Sequence, residues 1–220
     1  MHCKLLKMKI QIITLFPEMF EGVFKTSMLW KAQKQGVVEY SCVNLRDFGL
    51  GPRRTVDDAP YGGGDGMVLM SEPLFAAVAA AKTNDPDAKV LLMTPRGNTW
   101  KQSKAKSYAD AENGLILICG RYEGYDERIV SVVDEQISIG NYVLTGGEIP
   151  AMIITDSVVR LLPGVLGGET SAEIESFVED DTTIEAPQYT RPADYNGMKV
   201  PEVLLNGNHA EIAKWRQQTK

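Results

Sequence analysis

Short runs of β-branched and other apolar residues alternate along the chain with segments of helical periodicity. The runs predict buried strands at residues 9–16, 37–43, 67–70, 89–94, 115–119 and 134–139. Helical patterns lie between and after them, at residues 17–36, 72–82 and 148–162. Strands that alternate with helices are typical of α/β folds with a largely parallel sheet. The sequence therefore predicts an α/β domain of that kind.

Three of the predicted strands end in turns that contain glycine, at Thr94–Gly97, Gly120–Gly124 and Gly140–Gly147. Ligands of parallel sheets bind beyond the carboxyl ends of the strands, so we expect the three turns to converge on one ligand. The third turn lies within Ser138–Pro150, where glycines allow close backbone approach beside apolar side chains. Such a loop suits a flat heterocycle held by main-chain hydrogen bonds better than a metal ion or a phosphate. Alternatively, its glycines only form the connection between a strand and a helix.

The segment from residue 44 to residue 67 follows neither strand nor helix periodicity. It combines Arg53 and Arg54 with Tyr61 and the glycine run Gly62–Gly64. A loop of this length in a compact domain is usually functional or disordered. It matches neither the dinucleotide-binding glycine pattern nor the P-loop. Two interpretations stay open, a mobile lid that orders on a nucleic acid and a flexible linker.

The size and charge of the chain limit what it can bind. Its 220 residues are enough for one large domain, with room for a small second one. The net charge is −6, from 23 basic and 29 acidic residues, so contact with a nucleic acid needs local basic patches. Such patches lie at residues 96–106 and 214–220, although either is also typical of a solvated helix face.

The cysteines and histidines argue against several chemistries. Cys3, Cys42 and Cys119 are far apart, so neither a disulfide framework nor a zinc site follows, and a reducing cytoplasm is expected. The two histidines, His2 and His209, lie near the ends, which argues against histidine-based nucleophilic catalysis. Residues 1–7 resemble an extension without a signal-peptide core, and no apolar run approaches the ~18 residues of a membrane helix.

The composition of the chain changes after Gly168. Residues 169–186 are rich in acidic and poor in apolar side chains, as expected for an interdomain linker. Residues 187–220 contain several prolines, and a short basic helix is predicted at residues 209–217. So few residues rarely form a core alone. They are expected to pack on a partner subunit or to belong to a shortened second domain.

Eight motifs together resemble one known family. In chain order they are Leu-Phe-Pro-Glu-Met-Phe (15–20), Arg-Thr-Val-Asp-Asp (54–58), Pro-Tyr-Gly-Gly-Gly (60–64), Cys-Gly-Arg-Tyr-Glu-Gly (119–124), Ser-Ile-Gly-Asn-Tyr-Val-Leu-Thr-Gly-Gly-Glu-Ile-Pro-Ala (138–151), Pro-Gly-Val-Leu-Gly (163–167), Tyr-Thr-Arg-Pro (189–192) and Gly-Asn-His-Ala-Glu-Ile (207–212). The family is that of the bacterial tRNA (guanine-N1)-methyltransferases, of the SPOUT class. The motifs cover nearly the whole chain in the family's order.

The resemblance implies a fold, a cofactor and an assembly. It predicts a SPOUT domain with a C-terminal trefoil knot at residues 8–168, a linker at 169–186 and a shortened, mostly helical tRNA-binding domain at 187–220. Family members bind S-adenosylmethionine in the knot loops and act as homodimers, with tRNA and cofactor meeting at the subunit interface. The cofactor-binding positions that it implies are Thr94, Pro95, Gly120, Ser138, Ile139, Gly140, Asn141, Tyr142, Val143, Leu144, Gly146, Gly147 and Pro150.

The resemblance also implies a reaction, methylation of N1 of the tRNA guanosine immediately 3′ of the anticodon, which maintains the reading frame. N1 must lose a proton while negative charge develops on O6, so the reaction needs a carboxylate and a cation. The matching positions are Glu175 and Arg160, which could instead be a solvated linker acid and a member of a surface or dimer salt bridge. The implied substrate-binding positions are Tyr61, Gly62, Gly63, Tyr122 and Glu123. Glu123 is also the candidate contact for the magnesium associated with the family.

Three features depart from the family pattern. Glu175 stands where the family has aspartate, and a misplacement of about 1 Å costs on the order of a hundredfold in rate. Arg96 stands where the family has glutamine or a similar polar residue. The sequence ends at Lys220, short of the family's helical C-terminal domain. Fewer phosphate contacts are expected to make tRNA binding weaker and more salt-sensitive, or to be compensated elsewhere. Two alternatives therefore remain, a knotted methyltransferase with another RNA target and a non-catalytic RNA- or cofactor-binding module.

Overall fold

The structure, a computed structural model, describes residues 7–111, 113–167, 175–178 and 180–219. Its strands are β1 (Met8–Thr14), β2 (Val38–Asn44), β3 (Asp57–Asp58), β4 (Val68–Leu69), β5 (Lys89–Thr99), β6 (Leu115–Cys119), β7 (Glu135–Ser138), β8 (Asp194–Tyr195) and β9 (Met198–Lys199). Its α-helices are α1 (Glu21–Phe24), α2 (Ser27–Lys34), α3 (Ser71–Asn84), α4 (Gln102–Ala109), α5 (Glu148–Val159) and α6 (His209–Gln218). The chain divides after Gly167 into two compact units, the first ending with α5 and its following turn.

A five-stranded sheet forms the centre of the first unit. Its strand order is β2-β1-β6-β5-β7, and every neighbouring pair is parallel. The predicted α/β fold with a parallel sheet is therefore confirmed. The strands β6, β5 and β7 are adjacent, so their carboxyl ends lie side by side at one edge of the sheet.

Helices cover both faces of this sheet. Each strand contributes to the packing on both faces, because its successive side chains point to opposite sides. On one face, Leu115 and Leu117 of β6 pack with apolar residues of α1, α2 and α5. On the other face, Ile116 and Ile118 pack with apolar residues of α3. All five residues of β6 are buried as a result, as is usual for a strand of a parallel sheet.

The helix predicted between residues 17 and 36 is interrupted, so that prediction was wrong in part. A 3₁₀ turn with Pro17 at its start leads into α1, and α2 begins only at Ser27. Thr26 has extended backbone angles between the two helices, and its hydroxyl donates to the carbonyl of Gly22 at 2.6 Å. Ser27 has a φ of 51°. The helix is interrupted where the Thr26 hydroxyl makes this local hydrogen bond. The spacing of apolar residues could not reveal the interruption.

Residues 44–67 contain more regular structure than the sequence pattern predicted. Leu45–Phe48 form a 3₁₀ turn, Leu50 and Thr55 exchange two backbone hydrogen bonds of 2.8 and 3.0 Å, and β3 pairs antiparallel with β4. The segment is therefore not an unstructured linker along its whole length. That it orders on a nucleic acid stays a prediction.

The second unit contains the small hairpin of β8 and β9 and the helix α6. Asn196 and Gly197 form the hairpin turn with φ angles of 53° and 83°, which is the Asn-Gly turn chemistry of a tight hairpin. Asn208 caps α6 by accepting from the amide of Glu211, and the helix confirms the one predicted at residues 209–217. Residues 1–6 of the predicted extension and residues 169–174 and 179 of the predicted linker lie outside the described residues.

Candidate active site

A cavity of about 390 Å³ lies at the carboxyl ends of β6, β5 and β7, within the size range of small-molecule sites. The three turns predicted to converge all line it. Its walls are Met93, Thr94, Pro95, Arg96, Gly120, Arg121, Tyr122, Glu123, Gly124, Tyr125, Glu127, Ile137, Ser138, Ile139, Gly140, Tyr142, Val143, Leu144, Thr145, Gly146, Gly147 and Pro150.

The first wall is a bulge within β5, where the sequence predicted that the strand ends in a turn. Met93 and Asn98 both pair with Ile137 of β7, so the four residues between them leave the ladder. Three of these, Thr94, Pro95 and Arg96, line the cavity. Thr94 is buried, and its hydroxyl oxygen accepts from the amide of Arg96 at 3.3 Å and from the hydroxyl of Tyr125 at 3.0 Å. These two bonds fix the shape of the bulge and tie it to the turn after β6.

The second wall is the turn Gly120–Gly124, which also contacts β4. Tyr122 has a φ of 60°, in the left-handed region that residues with a side chain rarely adopt. The amide of Glu123 donates to the carbonyl of Met67 at 3.0 Å, and the amide of Leu69 donates to the carbonyl of Gly124 at 3.0 Å. The turn is thereby held by backbone bonds on the side away from the sheet.

The third wall is the loop after β7, which folds back on itself at Gly140. Gly140 has a φ of 142°, and a Cβ there would lie 2.7 Å from the ring of Tyr142. The hydroxyl of Tyr142 donates to the carbonyl of Ile139 at 3.3 Å. Tyr142 and Val143 are exposed, whereas the backbone around Gly140 faces the cavity. Only glycine leaves room for this ring position.

The second and third walls are in direct backbone contact at Gly147. The amide of Gly147 donates to the carbonyl of Gly120 at 2.8 Å. A Cβ on Gly147 would lie 2.7 Å from the Cα of Cys119 and 2.8 Å from the amide nitrogen of Gly120. Gly147 therefore closes the base of the cavity, and a side chain there would separate the two turns.

A buried acid lies beneath this contact. Glu148, whose side chain is 1% exposed, has its Oε2 atom 2.8 Å from Nε of Arg121. Its other oxygen accepts from the hydroxyl of Thr14 at 2.8 Å. Burial, together with the charge of Glu148, raises the pKa of the adjacent Cys119 thiol well above its usual value.

Most of the predicted cofactor-binding residues line the cavity. Asn141 is the exception among them, since it is exposed and does not belong to the lining. Of the predicted substrate-binding residues, Tyr122 and Glu123 line the cavity, whereas Tyr61, Gly62 and Gly63 lie in the loop before β4 outside the lining, with Tyr61 fully exposed. The lining residues that were not among the predicted cofactor- or substrate-binding residues are Met93, Arg96, Arg121, Gly124, Tyr125, Glu127, Ile137 and Thr145. Their positions in or next to the three glycine turns were the signal by which the sequence could have identified them as lining residues.

The two residues predicted to act on guanine do not line this cavity. Arg160 directly follows α5, whose first turn follows Gly147. At the rise of an α-helix, Arg160 and Gly147 are about 20 Å apart along the helix axis. Glu175 belongs to the second compact unit. Their catalytic roles stay predictions.

In the part of the chain that the structure describes, no group of three or more His, Cys, Asp or Glu side chains is placed to hold a metal ion. None of the described helices is long and apolar enough to cross a lipid bilayer.

Comparison with known proteins identifies the family. The family model described as tRNA (Guanine-1)-methyltransferase TrmD matches residues 8–220. The tRNA (guanine-N(1)-)-methyltransferases of Dictyoglomus turgidum and Halalkalibacterium halodurans are each 54% identical to this chain, over 96% of it and 84% and 85% of their own lengths. The crystal structure of tRNA (m1G37) methyltransferase from Aquifex aeolicus matches with a TM-score of 0.79 and 38% identity, covering 96% of this chain and 88% of that one. The chain therefore belongs to the tRNA (guanine-N1)-methyltransferase family.

Proposed function

We propose that this protein acts in the cytoplasm and transfers a methyl group from S-adenosylmethionine to N1 of the tRNA guanosine immediately 3′ of the anticodon. The observation that carries the proposal is the cavity built by three glycine-bearing turns at adjacent strand ends. Family membership supplies the reaction class, since the curated relatives bear the name of that activity.

The cavity fits the proposed cofactor in size and in chemistry. Its volume of about 390 Å³ suits a nucleoside-sized ligand. Glycine backbone at Gly120, Gly140 and Gly146 can approach a flat ring closely, beside the apolar side chains of Val143 and Leu144. S-adenosylmethionine supplies an electrophilic methyl group on a sulfonium sulfur. The role of the three turns is to bind this molecule and to hold its methyl group toward the open side of the cavity.

The acid–base chemistry belongs to Glu175 and Arg160. The carboxylate of Glu175 accepts the proton of guanine N1, which makes the nitrogen a nucleophile. The guanidinium of Arg160 donates to O6, where negative charge develops, and its fixed geometry and permanent charge suit that role. Both assignments rest on the family motifs.

The active site lies at the interface of a homodimer in this proposal, and the second copy supplies the catalytic acid Glu175. Arg160 is about 20 Å from Gly147 along α5, so a second copy is the simplest source of the arginine that reaches this cavity. Ile149 and Ile153, one turn apart on α5, are 47% and 41% exposed, and Val143 beside the cavity is 88% exposed. Exposed apolar side chains on a helix face and beside the cavity support this proposal, since large exposed apolar patches mark protein interfaces.

Two contacts support the trefoil knot that the family implies. The amide of Trp100 donates to the carbonyl of Ser138 at 2.7 Å, and the amide of Gly147 donates to that of Gly120 at 2.8 Å. The first holds the last residue of β7 against the residue that follows β5, and the second holds the chain after β7 against the turn after β6. This is expected if that chain passes through the loop between them.

The tRNA itself is expected to contact the basic patches at residues 96–106 and 214–220 and the loops around the cavity. Tyr61, Gly62 and Gly63 form the part of the 44–67 segment that we propose orders on RNA. Residues 187–220 belong to the tRNA-binding domain in this proposal. Among the described residues, Glu123 belongs to no group of three or more His, Cys, Asp or Glu side chains that could hold a metal ion. The proposal includes no step through a metal ion.

A methyl-transfer assay with nucleoside identification tests the function. The substrates are an unmodified tRNA with guanosine 3′ of the anticodon and the same tRNA with adenosine at that position. We expect 1-methylguanosine from the first and no product from the second. Ribose 2′-O-methylation would instead favour a knotted methyltransferase with another target. Cofactor binding without transfer to any tRNA would favour a binding module, and either result would contradict the proposal.

A further inference from the structure

Glu148 is a buried carboxylate at the first turn of α5, beneath the floor of the cavity. Its two oxygens have different partners, the Arg121 guanidinium at 2.8 Å and the Thr14 hydroxyl at 2.8 Å. Thr14 is fully buried, and its own oxygen accepts from the amide of Phe16 at 2.9 Å. A carboxylate so far from water is stable only if such partners stay in place.

Arg121 connects this carboxylate to the wall of the cavity. Its Nη1 donates to the carbonyl of Thr145 at 3.2 Å, one residue before the two glycines that precede α5. Its guanidinium carbon lies 4.4 Å from the centre of the Phe16 ring, and its Nη2 lies 3.3 Å from the sulfur of Met19. Only 17% of the side chain is exposed. One guanidinium thus contacts the turn after β1, the loop after β7 and α5.

Gly146 shows how tightly the loop is placed against this ion pair. A Cβ on Gly146 would lie 2.6 Å from Oε2 of Glu148 and 2.7 Å from Cδ of Arg121. The loop therefore lies directly on the pair, and its next residue, Gly147, makes the backbone bond to Gly120. Movement of the pair would move the third wall of the cavity relative to the second.

We propose that Arg121 and Glu148 are positioning residues, which set the affinity for the cofactor by fixing the loop 140–147 against the turn 120–124. The inference rests on the proposed function, in which S-adenosylmethionine is the ligand of this cavity. Arg121 acts through Thr145 and Glu148 acts through Arg121. Neither residue takes part in proton transfer or in binding of guanine.

The test uses a double variant that removes both charges, and with them the bond from Arg121 to Thr145, while keeping the contacts of residue 148 with Thr14 and of residue 121 with Phe16. Glu148→Gln retains an acceptor for the Thr14 hydroxyl, and Arg121→Met retains an apolar stem against Phe16. Because no unpaired buried charge is left, the double variant should fold, whereas either single variant risks unfolding. The matched control is Lys7→Met/Glu39→Gln, which removes an exposed ion pair of 2.9 Å in the first unit between side chains outside the cavity lining.

Three measurements are compared, namely the Kd for S-adenosylmethionine by calorimetry, the split between KM and kcat, and hydrogen exchange at the amide of Gly147. For the double variant we expect a Kd and a cofactor KM raised about tenfold or more, with kcat changed about threefold at most, since weakened preorganisation acts on binding. Exchange at Gly147 should be faster, because its bond to Gly120 opens more often. The control should match the wild type in all three.

The outcomes separate this inference from the proposed function. If the wild type does not bind S-adenosylmethionine, the proposed function fails, and the inference fails with it. If the wild type binds and the folded double variant binds equally well, with unchanged exchange at Gly147, only the inference is overturned. A fall in kcat with unchanged cofactor affinity would also overturn it, because that pattern indicates a role in the chemical step.

Discussion

A Cβ on Gly97 would lie 2.5 Å from the carbonyl carbon of Ile137, so the backbones of β5 and β7 approach here more closely than a side chain allows. This contact is where β5 returns to the sheet after its bulge, since Asn98 pairs with Ile137 again. The bulge supplies one wall of the cavity. Gly97 therefore connects the packing of the sheet to the shape of the site.

Substitution of Gly97 by alanine should destabilise the fold. The added methyl meets backbone rather than a flexible side chain, so we expect a loss of about 1–3 kcal/mol in the free energy of unfolding, measured in urea. Gly22→Ala is the control, because nothing lies within 4 Å of a Cβ there, and in helix α1 it should stabilise by roughly 0.5–1 kcal/mol. Equal stability of Gly97→Ala and the wild type would show that the two strands can separate freely.

Gly120→Leu should block the cavity without disturbing the fold. A Cβ on Gly120 would lie 3.5 Å from the carbonyl oxygen of Met93 and 3.7 Å from the ring of Tyr125, which are ordinary contacts between lining residues. The larger side chain then occupies ligand space, and we expect at least about a tenfold rise in the Kd for S-adenosylmethionine by calorimetry. Gly22→Leu is the matched control and should bind as the wild type does. Unchanged affinity in Gly120→Leu would place the cofactor elsewhere.

Glu175→Ala should abolish turnover while leaving cofactor binding intact. Loss of a general base costs about a hundredfold or more in kcat. Glu185→Ala, which removes another carboxylate of the second unit, should keep the wild-type rate. The measurements are single-turnover methyl transfer and calorimetric titration with S-adenosylmethionine. If Glu175→Ala turns over like the wild type, that carboxylate has no part in the mechanism.

Cys42 and Cys119 should resist alkylation in the folded protein. Burial raises the pKa of Cys42 to about 11, so at pH 8 only about 0.1% of it is the reactive thiolate. Burial and the nearby charge of Glu148 raise the pKa of Cys119 as well. Because the pKa values of both thiols are raised, their rate of alkylation should increase as the pH rises above 8. Mass spectrometry after iodoacetamide treatment measures this, and rates equal to those in urea would contradict the described burial.

The parts of the fold that the sequence predicted are those that depend on local pattern. The apolar run Leu115–Cys119 is a strand with those same bounds, since a strand buried on both faces has no polar interruption. The grouping of the three glycine turns followed from a general property of parallel sheets. Family motifs added nearly all of the predicted lining residues, although Asn141 does not line the cavity.

The features that the sequence did not predict depend on which residues become neighbours in space. The bulge in β5 exists because Met93 and Asn98 share one partner in β7, and strand order is not encoded in the pattern of β5 alone. The ion pair of Arg121 and Glu148 joins two turns whose contact depends on the backbone bond at Gly147. The interruption at Thr26 likewise depends on one hydroxyl bond rather than on apolar spacing.

The most direct test of the account is activity of a mixed dimer. Gly120→Leu and Glu175→Ala chains with different tags are co-expressed and purified through both tags, so that every dimer contains one of each. If the catalytic acid comes from the second copy, one of the two sites combines an open cavity with an intact acid, and about half of the wild-type rate per dimer is expected. Each variant alone should be nearly inactive. A mixed dimer as inactive as either parent, or a protein that is monomeric in solution, would contradict the shared active site.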